Sequence, residues 1–280
     1  MKIFVAGASG VLGRAFIRRA IRDGHEIVGM TRSARGAATI VQEGAQSVVA
    51  DAYDRDAVVA AVGQAGPDAV LHLLTDLAGG DSTSNARIRS VGTRNLADAA
   101  LAAGVGQMVA ESISWVYPSA SSPADEDDVL DLGAAEPRRT TIEGVLSLET
   151  TVRTMPAGRL LRFGQLYGPG TWFAPDGRFA DAARTGTLPA TETVASFIHV
   201  EDAAEAAVRA LEWPAGTWNI VDDDPAPGTD WVPIFAARVG APKPALSTVG
   251  DIGRPVDNAR LHEMGFTLSH PTWRDGLGTR

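Results

Sequence analysis

The chain of 280 residues contains no cysteine and only two lysines, Lys2 and Lys243, so every other cation is an arginine. Without cysteine there is no disulfide framework, thiolate nucleophile or Cys-ligated zinc. The lysine gap between residues 3 and 242 excludes Schiff-base chemistry and a P-loop lysine in that stretch. Basic charge is short overall: 25 Lys and Arg stand against 34 Asp and Glu, a formal charge of −9. Such a chain, without a basic stripe, is a poor partner for nucleic acid or an anionic membrane surface. No apolar run reaches membrane-spanning length, and Met1-Lys2-Ile3-Phe4-Val5 leads into a glycine turn rather than a signal-peptide core. The expectation is a cytoplasmic protein that handles a small-molecule substrate; a homodimer is left open.

What is present is an alternation. Apolar runs at Lys2–Ala6, His25–Met30, Ala45–Ala50, Asp68–Leu74, Gln107–Ile113 and Arg159–Phe163 read as strands. Helical patterns separate them at Val11–Asp23, after Asp54 as N-cap, at Asn85–Ala103 and at Thr141–Arg153. This order predicts an α/β fold, a Rossmann-type doubly wound parallel sheet. Beyond Gly164 turns multiply, at Gly168-Pro169-Gly170, Pro175-Asp176-Gly177 and Pro225-Ala226-Pro227-Gly228, which suits a small C-terminal substrate lobe. Residues 1–165 are assigned to the nucleotide-binding domain, with 197–221 returning to it, and 166–196 and 222–280 to the lobe. The run Asp125-Glu126-Asp127-Asp128 reads as a solvated loop, because four adjacent side chains cannot converge on one ion.

Gly7-Ala8-Ser9-Gly10-Val11-Leu12-Gly13 places glycines at spacing three between a strand and a helix. The first serves a tight turn, the second admits a pyrophosphate and the third allows close helix packing. Backbone N–H groups from Ser9 to Gly13 then face the anion. At the end of the second strand, where NAD-binding folds carry an acid for the ribose 2′-hydroxyl, this chain has Thr31-Arg32-Ser33-Ala34-Arg35. Arg32 and Arg35, with the hydroxyls of Thr31 and Ser33, suit a 2′-phosphate and therefore NADP(H) over NAD. Asp51 and Ala52, after the third strand, and Leu73, in the fourth, complete the expected cofactor contacts. Asp51 also has a plain alternative role as a helix cap.

Taken together the motifs resemble the extended short-chain dehydrogenase/reductases, also called the NAD-dependent epimerase/dehydratase family. The matching pieces are the glycine turn, Val70-Leu71-His72-Leu73-Leu74, Gly92-Thr93-Arg94-Asn95-Leu96, Ser112 to Tyr117, Leu161 to Gly170, Phe197 to Ala204 and Trp218 to Asp223. The resemblance implies bound NAD(P), a carbonyl or hydroxyl metabolite as substrate, a strand-end hydroxyl and a Tyr-x-x-x-Lys pair on a helix. In that pair the lysine cation lowers the tyrosine pKa so that it exchanges a proton with substrate. Here the chain departs from the pattern. Counting back from Glu149, the lysine position is Val145 and the tyrosine position is Thr141. No register shift restores the pair, because four residues beyond Tyr53, Tyr117 and Tyr167 stand Ala57, Ser121 and Thr171.

The strand ends supply the substitutes. Ser112 is the expected hydroxyl for substrate oxygen and Tyr117 the proton donor, while Glu111 also faces the crevice. Thr75, Asp76 and Ser114 line the crevice for substrate, with Tyr167, Trp172 and Arg178 from the loop region beyond it. His72 reads as a core histidine and His199 as structural. The result is an NADP(H)-dependent oxidoreductase, or an epimerase- or dehydratase-like enzyme, with a non-standard proton donor and no metal. A nucleotide-sensing regulator without turnover and a non-redox isomerase or cyclase remain as alternatives.

Overall fold

The computed structural model describes residues 1–77, 82–248 and 253–279. Its elements are β1 (Lys2–Ala6), α1 (Val11–Arg22), β2 (Glu26–Thr31), α2 (Ala34–Gln42), β3 (Gln46–Val49), α3 (Arg55–Ala65), β4 (Ala69–His72), α4 (Ser82–Arg87), a π-helical turn (Ile88–Gly92), α5 (Thr93–Ala102), β5 (Gln107–Ile113) and α6 (Arg138–Arg153). They continue with β6 (Ala157–Phe163), β7 (Gln165–Tyr167), α7 (Arg178–Arg184), β8 (Val194–Ala195), β9 (Phe197–His199), α8 (Val200–Arg209), β10 (Gly216–Ile220), β11 (Ala226–Pro227), α9 (Gly228–Arg238), α10 (Ala259–Glu263) and α11 (Trp273–Gly276).

Seven strands form one sheet in the order β10-β6-β5-β4-β1-β2-β3. β1 pairs in parallel with β2 and β4, β2 with β3, and β4 with β5, the Rossmann-type arrangement expected. Strand order reverses between β1 and β4, and that switch point opens the crevice in which such sheets bind ligands. Ile3, Phe4, Val5 and Ala6 are completely buried, as a parallel strand covered on both faces requires. Asp54 caps α3 as expected, its carboxylate accepting the Ala57 N–H at 3.0 Å. The helix expected over Asn85–Ala103 is different in kind. It begins at Ser82, widens into the π turn and resumes at Thr93. One inserted residue barely alters apolar spacing, so periodicity does not reveal it.

The chain packs as two compact units: Met1–Ser112, Asp131–Leu161 and Ala204–Thr217, then Ile113–Leu130, Arg162–Ala203 and Trp218–Arg280. Residues 113–130, 162–165, 197–203 and 218–221, placed with the nucleotide domain by sequence, thus pack in the second unit. The first has an aliphatic core that includes Phe4, Met30, Val58, Leu96, Met108 and Leu148. Within it α4 and α6 meet almost backbone to backbone, since a Cβ on Gly144 would stand 2.7 Å from Ala86 Cα.

The second unit has an aromatic core of Tyr167, Phe173, Phe197, Phe235 and Trp273, with edge contacts such as Phe173 to Phe197 at 5.4 Å. The acidic run corrects the expectation of a wholly solvated loop. Glu126 is buried, accepts the Asn219 N–H at 2.7 Å and lies 3.5 Å from Arg260. Asp127 pairs with Arg260, and Asp128 with Arg254. The arginines that hold this run lie more than a hundred residues away in sequence, beyond the reach of local pattern.

Candidate active site

The glycine turn owes its shape to backbone crowding. Gly7 has φ +90°, and a Cβ there would lie 2.3 Å from Leu73 O; one on Gly13 would lie 2.4 Å from Gly7 O. Both positions therefore require glycine. Gly10 differs: it is exposed, and the nearest atom to a Cβ would be Gly7 O at 3.2 Å. It starts α1 with no side-chain cap and no acid in the first turn. The free N–H groups and positive dipole end thus face an open cradle, which fits a pyrophosphate.

A cleft in the first unit continues from this cradle, lined by Gly7, Ser9, Gly10, Thr31, Arg32, Asp51, Ala52, Leu73, Thr75 and Asp76, as the sequence places them, and by Met30, Ala50, Tyr53, Leu74 and Ile88. Ser9 Oγ and Thr31 Oγ1 share a 3.2 Å hydrogen bond. Arg32 is 69% exposed, and its charged neighbour is Asp76 at 3.9 Å. Asp76 therefore stands beside the arginine expected to read the ribose, with its backbone N–H donated to Asn85 Oδ1 at 3.0 Å. Ser33 and Arg35 do not line the cleft. Ser33 caps α2 by accepting the Gly36 N–H, and Arg35 is exposed on the first turn of that helix. Val11 lies in the opening turn of α1 and Leu12 is buried beneath it. Asp51 does not cap α3; it accepts the Tyr53 N–H at 2.9 Å. Tyr53 in turn lies under the Arg87 guanidinium, 4.4 Å from its ring centre.

At the end of β5, Ser112 is completely buried, and its hydroxyl donates to Glu149 Oε1 at 2.8 Å. The other Glu149 oxygen accepts from Arg153 at 2.8 Å. Val145 is also fully buried, so the helix position opposite presents hydrocarbon where a lysine cation was looked for. Arg89, from the π turn, is 3% exposed, and its Nη1 has no hydrogen-bond partner among the described residues. Its charge acts on Glu111 and Glu149, and burial pulls its own pKa down. Burial pushes the Glu111 carboxyl up to about 7 against the opposing effect of Arg89. His72 is the satisfied core histidine expected: its Nδ1 accepts from Leu74 N–H at 3.2 Å, so Nε2 donates to Thr93 Oγ1 at 2.7 Å. Burial lowers its pKa to about 4 and keeps it neutral.

The model of the NAD dependent epimerase/dehydratase family matches residues 3–220, most of the chain. The chain belongs to that family. It is 38% identical to a 3-diazoavenalumate denitrifying reductase from a Streptomyces species, over 99% of both chains. It is 28% identical to 2-alkyl-3-oxoalkanoate reductase of Stenotrophomonas maltophilia, over 87% of this chain and 77% of the other. Among solved structures, a Thermotoga maritima UDP-glucose 4-epimerase with UDP-glucose superposes with TM-score 0.80 at 18% identity, covering 99% of this chain and 96% of the other. Bordetella bronchiseptica WbmH in complex with NAD+ gives 0.77 at 20%, covering 94% and 90%. These last two speak for the fold alone. Family membership supports an NAD(P) cofactor, and the cradle at Gly10 fits a pyrophosphate.

Against the family pattern the remaining sequence-based candidates take definite places, all in the second unit. The Tyr117 hydroxyl donates to Asn219 Oδ1 and accepts from Arg162, both at 2.7 Å. Burial pushes its pKa up to about 12 despite that guanidinium, which opposes proton donation near neutrality. Ser114 is buried, its N–H bonded to Phe163 O. Tyr167 is a core residue rather than a surface for ligand, completely buried with its hydroxyl donated to Thr272 O at 3.3 Å. Trp172 and Arg178 do come together, the guanidinium 5.2 Å over a ring that is 38% exposed. His199 stacks on His270 at 3.7 Å, while Asp202 accepts from the Ser269 and His270 N–H groups. Arg89, Glu149 and Tyr53 were not singled out as site residues by sequence. A cation inside the motif ending Gly92-Thr93 was the available signal for Arg89.

Proposed function

We propose that this chain is an NADPH-dependent reductase that removes a diazo group from a small organic acid, releasing dinitrogen. The observation that carries the reading is the pair Thr141 and Val145, which leaves α6 without a tyrosine or lysine to move a proton. Reducing a carbonyl creates an alkoxide that must be protonated, the task of general acid catalysis. A diazonium carbon has no such need: the cofactor, when bound, supplies a hydride; a C–H bond forms, the C–N bond breaks and neutral dinitrogen leaves with no proton added. The Streptomyces relative, named for a diazo compound and similar over the whole length of both chains, supports this chemistry.

In this reading Gly7, Gly10 and Gly13, with Ser9, Val11 and Leu12 between them, hold the pyrophosphate. Arg32, beside Thr31 in the cleft, binds the 2′-phosphate, Ser33 and Arg35 stay at the start of α2 outside it, and Asp51, Ala52 and Tyr53 line the adenine side. Asp76 balances Arg32 rather than meeting substrate. Leu73, Leu74 and Ile88 give the inner cleft an apolar wall that limits water. Ser112 holds Glu149 and Tyr117 holds Asn219, so both hydroxyls serve the structure rather than proton transfer. Trp172 and Arg178 form an exposed aromatic and cation pair of the second unit.

The test offers aryl diazonium acids, carbonyl compounds and UDP-glucose to the purified protein with NADPH deuterated at nicotinamide C4. Deuterium at the carbon that lost nitrogen, with one dinitrogen released per NADPH oxidised, is expected. Reduction of carbonyl compounds with the diazonium acids untouched, or epimerisation of UDP-glucose, overturns the reading.

A further inference from the structure

We infer that Arg89 is the anion receptor of the reaction site, and that it takes the carboxylate or oxyanion of a small organic acid. The argument begins with a buried charge. Arg89 is 3% exposed, yet its Nη1 makes no hydrogen bond among the described residues. A buried N–H left without a partner is costly, and more so when the group is charged. The nearby acids do not relieve it. Glu149 already spends one oxygen on Ser112 and the other on Arg153, each at 2.8 Å. Glu111 acts on Arg89 through space, without an ion pair to it among the described residues.

The backbone that carries Arg89 is also unusual. It sits in the π turn between α4 and α5, a widened turn that redirects a side chain and recurs at functional sites. Its neighbour Ile88 lines the cofactor cleft. The Gly144 to Ala86 contact brings α6 against the helix leading into this turn, and Arg89 lies within electrostatic reach of Glu149 on that same helix. A guanidinium thus stands near the stretch of α6 where Val145 provides no cation, with one nitrogen unused. Its planar fork is suited to a carboxylate. The charged and titratable groups that act on it are Glu111 on β5, Glu149 on α6 and His72 on β4, with Arg153 paired to Glu149. An incoming anion satisfies Arg89 and adds negative charge beside Glu111, so binding favours the protonated Glu111 carboxyl.

This inference deepens the proposed function, in which the substrate is an acid anion, but its test does not depend on turnover. Binding of cinnamate and of methyl cinnamate to the NADP+-loaded protein is measured by calorimetry, alongside NADP+ affinity. The wild type is expected to prefer the acid. Arg89→Gln is expected to weaken the acid about 10- to 100-fold, a charge-assisted hydrogen bond lost, with the ester and NADP+ unchanged. Arg89→Lys keeps the charge and restores part of the loss, which guards against a variant that folds poorly. Acid binding is also expected to strengthen as pH falls through about 7. Equal loss of acid and ester, an acid affinity unchanged in Arg89→Gln, or a wild type indifferent to the carboxylate overturns the inference. If the acid is selected but no diazonium compound is consumed, the anion receptor stands and the diazo reading falls.

Discussion

Arg32→Asp is the substitution that bears hardest on the cofactor assignment. The wild-type guanidinium is 69% exposed, with a carboxylate 3.9 Å away, so it is solvated and free to turn toward a 2′-phosphate. A hydrogen bond to a charged group is worth about 1.5–3 kcal/mol, and the exposure places this one near the lower figure. The new carboxylate adds repulsion of about 1 kcal/mol in a water-like dielectric. A loss of about 2.5 kcal/mol is roughly a 70-fold weaker NADPH complex. NADH has no 2′-phosphate, and an aspartate there accepts from its ribose hydroxyls, so its affinity holds or rises. Fluorescence titration of both reduced cofactors measures this directly. In the wild type, added salt should weaken NADPH more than NADH, since an exposed ionic contact is screened. Equal loss of NADPH and NADH in Arg32→Asp refutes the reasoning.

Gly10→Ala places a methyl in the open cradle with one contact of 3.2 Å, so cofactor affinity should fall while the melting temperature stays within a few degrees. Gly13→Ala drives a Cβ to 2.4 Å from a backbone oxygen and should cost about 1–3 kcal/mol of stability as well, read by denaturant unfolding. Tyr117→Phe removes a hydroxyl that satisfies Arg162 and Asn219; stability should drop by about 1–3 kcal/mol with kcat unchanged, and a tenfold fall in kcat at full stability would return the tyrosine to catalysis. Asp222 is 1% exposed, its Oδ2 lacks a hydrogen-bond partner among the described residues, and burial pushes its pKa up to about 8. The folded state therefore holds this proton longer than the unfolded chain, and stability is lost as pH rises from the ordinary carboxyl range through about 8. Asp222→Asn should remove that slope, about 1.4 kcal/mol per pH unit for one proton, in chemical unfolding across the window. A slope unchanged in the variant counts against the buried carboxyl.

Much of the nucleotide half was legible because its causes are local. A glycine that must turn, a glycine that must let a helix approach and an arginine where an acid usually stands are written in consecutive letters. The Asp54 cap and the core role of His72 follow equally from their immediate neighbours. For the proposed reaction site the legible signal was chiefly the absence of tyrosine and lysine at Thr141 and Val145. What fills the space depends on partners far apart in sequence: Ser112 and Glu149 are 37 residues apart, and Tyr117 and Asn219 are 102. Hydroxyls that look available in one dimension are thereby engaged in three. Arg89 was hidden for another reason, since a single extra residue in a helical turn re-aims a side chain without disturbing the apolar pattern around it.

The crowding of Gly7 against Leu73 has a consequence for dynamics. Leu73 N–H also bonds Ala6 O at 2.8 Å, and Gly10 N–H bonds Gly7 O at 3.0 Å, so the loop and two strand ends are one knitted piece. The cradle is therefore shaped during folding rather than on ligand arrival. Its ordering entropy is already spent when a dinucleotide enters, and the amide hydrogens of Gly10 and Leu73 should exchange with solvent slowly even in the apoprotein.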